Sequence, residues 1–127
     1  MEEKIEFTSL ADASPKELAE EIAKVLDDKK GKDIKVIYVA DKTDISDYFV
    51  LANGTSNTHI RTLADEVEYV IGEREVKPLS YEGRGNGTWV LLDYGRVVVH
   101  VFSREAREFY NLDKLYKEKR AEETEEN

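Results

Sequence analysis

The stretch Trp89 to Phe102, WVLLDYGRVVVHVF, constrains the fold most. Ten of its fourteen residues are hydrophobic. A strand with one face in the core and the other in water alternates apolar and polar residues, and this segment barely does. Glycine supplies the positive φ that a tight turn needs, so the segment reads as a hairpin turning at Tyr94-Gly95. That register puts Asp93 opposite Arg96, Leu91 opposite Val98 and Trp89 opposite His100. Trp89, Leu91, Asp93, Arg96, Val98, His100 and Phe102 then share one side. Leu92, Val97, Val90, Val99, Thr88 and Val101 share the other, which is aliphatic and β-branched as a core face should be. The first side mixes an indole, an imidazole, a phenyl ring and charge. Two readings of it stand. In one, helices cover both faces and Trp89 is core. In the other, the mixed face is partly open and docks a protein, since aromatic and arginine side chains anchor such interfaces.

The rest of the chain supplies the partners for this hairpin. Ser14-Pro15-Lys16-Glu17 is a helix start with N-cap, proline at the first helical position and capping box. Leu18, Ile22, Val25 and Leu26 follow at helical spacing, and Gly31 ends the element. IKVIYVA (34–40) reads as a buried strand, DKTDISD (41–47) as a polar connection and YFVLAN (48–53) as a second strand. A helix over 57–72 carries Ile60, Leu63, Ala64, Val67 and Ile71 on one stripe. A weaker strand follows near 76–81, then the glycine-rich loop GRGNG (83–87) and the hairpin. Helical pattern resumes after Ser103 with Ala106, Phe109 and Tyr110. A last segment from Asp113 carries Leu112, Leu115 and Tyr116 inward. The expected order is α-β-β-α-β-β-β-α, a single mixed sheet of about five strands flanked by helices. Residues 1–13 are expected to be loosely held and 118–127 to form a polar tail, frayed from Ala121.

Composition narrows the function. The 127 residues suit one domain. Without cysteine there is neither a disulfide nor a thiolate metal site, and His59 and His100 are too far apart in sequence to suggest zinc. No apolar run reaches the ~18 residues of a membrane span, and MEEKIEFTSL lacks a signal pattern, so a cytoplasmic protein with no membrane partner is expected. A net charge of -9 argues against gripping nucleic acid through phosphates and suits a basic protein partner.

Other constellations are weaker. NGTSNTHI (53–60) follows a strand and opens a helix, where backbone N–H groups can hold an anion, but a turn capped by Ser56 or Asn57 accounts for it. Asp41, Asp44 and Asp47 offer carboxylates for magnesium, yet their spacing does not bring them together, and Asp44 and Asp47 read more simply as turn caps. His100, with no nucleophile in sight, reads as a hydrogen-bonded structural histidine. His59 is expected near a helix start and exposed. KLYKEKR (114–120) reads as a solvated helix face.

DISDYFVLANGTSNTHIRTLADEVE (44–68) and EGRGNGTWVLLDYGRVVVHVFSREAREFYNLDKLY (82–116) together resemble the ribosomal silencing factor, or Iojap-like, family. The likeness covers residues 14–117. It implies a mixed sheet with helices related to nucleotidyltransferases, without their catalytic aspartate pair, with no established activity and no cofactor. It implies binding to the large ribosomal subunit through ribosomal protein L-fourteen, a block on subunit joining, repression of translation in starvation, and homodimers. Carried over by position, the docking surface is Trp89, Leu91, Asp93, Tyr94 and Gly95. Arg96 joins it at a position commonly acidic or small in the family, and Ser103 stands where histidine is frequent. The alternative reading is a degenerate metal-dependent nucleotidyltransferase with residual nucleotide binding, resting on the NGTSN turn and the Asp41–Asp47 cluster.

Overall fold

The computed structural model describes residues 8–85 and 87–114. Its elements run α1 (Pro15–Asp28), β1 (Lys32–Tyr38), β2 (Tyr48–Asn53), α2 (Asn57–Glu73), β3 (Ser80–Glu82), β4 (Trp89–Asp93), β5 (Val97–Phe102) and α3 (Arg104–Tyr110). The five strands form one sheet in the order β1-β2-β5-β4-β3. β2 and β5 are parallel, and every other neighbouring pair is antiparallel. The parallel pair is joined through α2, β3 and β4, as a parallel connection must be by a long crossover.

Local chemistry sets the helix starts. Ser14 Oγ accepts from the Glu17 N–H at 3.1 Å while Glu17 Oε1 accepts from the Ser14 N–H at 3.0 Å, a complete capping box. Ser56 caps α2 by accepting from the His59 N–H, and Ser103 caps α3 by accepting from the Ala106 N–H. At Gly54 the turn into α2 runs so close that a Cβ there would lie 2.6 Å from Ile60 Cγ1.

The apolar stripes of α1 and α2 pack on one face of the sheet. Leu18, Ile22 and Leu26 from α1 and Ile60, Leu63, Val67 and Ile71 from α2 meet Val50, Ala52, Val90, Leu92, Val97, Val99 and Val101 in one buried cluster. All six residues of β5 are buried, so this central strand is covered on both sides. β4 alternates buried and half-buried residues, with Val90 and Leu92 toward the helices.

Three expectations need correction. β1 is an exposed edge strand rather than a buried one, because among the described residues only β2 pairs with it; Val36 and Tyr38 remain about two-fifths exposed. It also starts two residues earlier than 34, with an irregular register between Lys32 and Lys35 where Asp33 takes a positive φ of 49°. β3 shrinks to three residues, since Pro78 has no N–H to give a ladder. Ahead of α1, the Leu10 N–H donates to the Arg74 carbonyl, and the Arg74 guanidinium donates to the Thr8 carbonyl and to Glu21. Finally, the hairpin turns one residue later than expected. Tyr94 pairs with Val97 through its N–H, leaving Gly95 (φ 89°) and Arg96 at the tip. Trp89 therefore faces Phe102, Leu91 faces His100 and Asp93 faces Val98. Each pairing moves by two positions on β5, so no side chain changes face. Leu115, Tyr116, most of KLYKEKR and the tail lie outside the described residues.

The core and the rim of α2 respond differently to truncation. Leu63→Ala is expected to lower the unfolding free energy by about 3 kcal/mol in urea titration, through lost burial and the cavity left behind. Tyr69→Ala, on the exposed side of the same helix, should stay within about 0.5 kcal/mol of the parent.

Candidate functional site

α1 and α2 both lie on the same face of the sheet. The opposite face carries Phe49, Leu51 and Asn53 of β2, Val98, His100 and Phe102 of β5, and Trp89, Leu91 and Asp93 of β4, as the strand registers require. Among the described residues, α3 is the one helix that lies over this second face. It reaches Phe102 with the Arg107 guanidinium and Trp89 with the Tyr110 ring.

A cluster of rings forms there around Trp89. Its ring centroid is 4.3 Å from Tyr110, 5.5 Å from Phe102 and 5.8 Å from His100, and His100 is 4.8 Å from Phe49. Phe102 is fully enclosed and His100 is 5% exposed, whereas Trp89, Leu91 and Phe49 are half-buried. The rings thus form an inner layer and an outer layer that water reaches. Such partly wet aromatic layers are what protein interfaces use as anchors.

His100 holds the outer layer in place. Trp89 Nε1–H donates to His100 Nδ1 at 3.1 Å. The neutral imidazole then carries its proton on Nε2, which is buried and makes no hydrogen bond. Burial pushes the His100 pKa down to about 4, because the imidazolium would lose its hydration. This is the structural, hydrogen-bonded histidine that the sequence suggests.

The proposed docking residues do not all sit together. Trp89, Leu91 and Asp93 line the open face, and Asp93 Oδ1 accepts from the Gly95 N–H at 2.7 Å, which fixes the turn. Tyr94 points the other way and packs on the helix-side core. Its hydroxyl is buried without a hydrogen-bond partner, and burial together with Glu68 raises its pKa. Gly95 and Arg96 form the hairpin tip, where the exposed Arg96 pairs with Asp47. Phe49 and Tyr110 belong to the ring cluster but carry no sequence signal for it, since a parallel register and a helix packing position cannot be read from one strand pattern.

The features behind the nucleotidyltransferase alternative are not brought together. Asp41, Asp44 and Asp47 precede β2, whereas Asn53 to Asn57 follow it, about 16 Å apart along a six-residue strand. Asp47 is committed to Arg96, and it is Thr43 Oγ1 that accepts from the Ile45 N–H in this connection. No group of three or more His, Cys, Asp or Glu among the described residues is placed to hold a metal. A polar cleft of about 870 Å³ does lie at the carboxyl ends of β2 and β5, beside the start of α2. Its buried cation, Arg107, is fully engaged by Asn53, the Asp33 carbonyl and Asp113. His59 is partly buried, not exposed. Its Nδ1 accepts from the Thr55 N–H and its Nε2 contacts the Lys29 carbonyl, tying α2 to the end of α1.

The depressed His100 pKa makes stability depend on pH. The unfolded chain binds a proton near pH 6.5 that the folded chain refuses until about pH 4. Stability is thus full above pH 6.5 and is lost as pH falls toward 4, by about 3 kcal/mol in total. His100→Asn, which keeps an acceptor for the Trp89 indole, should flatten that part of the curve in chemical denaturation between pH 7 and 4.5. Parallel curves for parent and variant would contradict the assignment.

The family model described as ribosomal silencing factor during starvation matches residues 12–127. A relative in Halalkalibacterium halodurans, named ribosomal silencing factor RsfS, is 34% identical over 103 residues, covering 81% of this chain and 88% of that one. Its Bacillus subtilis namesake is 35% identical over 94 residues, covering 74% and 80%. A crystal structure from Chromobacterium violaceum superposes with a TM-score of 0.79 at 33% identity, covering 82% of this chain and 87% of the other. A match along nearly the whole domain, with the same fold, places the chain in the ribosomal silencing factor family.

Proposed function

We propose that this protein seats the open face of its sheet on ribosomal protein L-fourteen of the large ribosomal subunit and keeps the small subunit from joining. The observation that carries the reading is the half-open ring layer around Trp89, on a sheet whose two long helices both lie on the other side. Relatives that bear the name ribosomal silencing factor support the choice of a ribosomal partner. A net charge of -9 suits a basic partner protein and makes extensive contact with RNA phosphates unfavourable.

The mechanism is steric and needs no bond-making. A domain of this length is roughly 30 Å across. Held on a surface that two rigid subunits must bring to contact distance, it keeps them apart for as long as it is bound. Repression then depends on residence time, which the buried anchors set more than the charged rim does. Asp93 and Arg96 serve chiefly to shape the turn: one accepts from the Gly95 N–H and the other is tied to Asp47. The resident compartment in this reading is the one that holds the ribosomes, and the homodimer form would compete with docking if it used the same face.

Co-sedimentation with isolated large subunits tests this. The parent protein should pellet with large but not small subunits and lower the fraction of joined ribosomes. Trp89→Ala should weaken the binding about thirtyfold, as loss of a central aromatic anchor does. Leu91→Ala, a smaller truncation on the same face, should weaken it less while leaving the fold intact. A parent protein that stays in the supernatant would overturn the reading.

A further inference from the structure

The ring layer does not stop at the sheet. Tyr110 lies against Trp89 at 4.3 Å and is still 51% exposed. Phe109 packs edge-on to Tyr110 at 5.0 Å and is 80% exposed. A single exposed phenylalanine needs no explanation, but one that continues an aromatic band marks a contact surface. The band runs Phe109, Tyr110, Trp89, His100, Phe49, from the short helix onto the sheet.

α3 has only seven residues, too few to hold itself in place. Arg107 fixes it. Its Nη1 donates to the Asp33 carbonyl at 2.6 Å and to Asn53 Oδ1 at 2.8 Å, while Nε and Nη2 donate to the two oxygens of Asp113 at 3.0 and 2.7 Å. The guanidinium is buried, and Asp113, held ionised below the usual carboxylate range mainly by that hydrogen-bonded Arg107, balances it. Tyr110 sits three residues beyond Arg107, on the same side of the helix, and so is set over Trp89. Exposed carboxylates belong to the same elements: Glu105 and Glu108 on α3, and on the sheet Glu82, opposite Leu91, with Asp93 half-buried on the open side. Glu108 is only loosely satisfied by Arg104 at the surface.

We propose that α3 is the second half of the docking surface, with Phe109 and Tyr110 inserting into the same large-subunit protein as Trp89. This inference rests on the docking reading above. The occupant it requires is a protein surface with an apolar centre and basic rim, complementary to aromatic rings on elements that also carry carboxylates.

The test measures binding of the full chain to purified large subunits, with Phe109→Ala and, as control, Tyr69→Ala on the other side of the sheet. Phe109→Ala should bind about tenfold more weakly with an unchanged thermal melt, while Tyr69→Ala binds like the parent. Excess deproteinised ribosomal RNA should not compete. If the parent binds and Trp89→Ala is impaired but Phe109→Ala matches the parent, the inference about α3 falls and the docking reading stands. Equal loss in Tyr69→Ala, or competition by the free RNA, would also overturn the inference. If the parent itself does not bind, both fall.

Discussion

The structure depends on the position of β5. Val97 to Phe102 is apolar on both sides, and all six residues are buried. A strand of this kind is stable only at the centre of a sheet with something packed on each face. On one face α1 and α2 supply that cover from two amphipathic stripes. On the other, α3 spans only part of the strand, and the side chains of β2 and β4 must do the rest. Phe49 and Trp89 lean over His100 from either side, where no long helix among the described residues lies. The open aromatic face is thus a consequence of covering a two-sided strand with helices that sit mostly on one side.

In the proposed docking, that arrangement joins stability and recognition in the same residues. Trp89 encloses His100 and Phe102 and yet remains half-exposed. His100 accepts from its indole, so the ring is oriented before any partner arrives, which lowers the entropy lost on binding. The Arg107 clasp does the same for α3 by tying it to β1, β2 and Asp113. An isolated turn of helix would otherwise be free to fray.

Much of this was legible in the sequence, for identifiable reasons. Ser14 and Glu17 announce α1 through a chemical pattern that few other structures use. The two faces of the hairpin follow from strict alternation, which is why the grouping of Trp89, Leu91 and His100 survives a turn that falls at Gly95-Arg96 instead of Tyr94-Gly95. The exposure of β1 was not legible, because IKVIYVA looks the same whether or not a second strand pairs with it. The place of Tyr94 was missed with the turn: just past β4, with its N–H bonded to the Val97 carbonyl, it packs on the helix side with its hydroxyl buried. The roles of Tyr110 and Arg107 depend on contacts with Trp89, Asn53 and Asp33 that are far apart along the chain, and no local spacing encodes them.

Oxidative footprinting read by mass spectrometry tests the central claim most directly, since the chain has a single tryptophan. Trp89 should be oxidised readily in the free protein and protected when large subunits are bound, while Tyr69 on α2 reacts equally in both. A complex that forms with Trp89 as reactive as before would mean that the partner sits elsewhere, and the open face would then have to be explained without it.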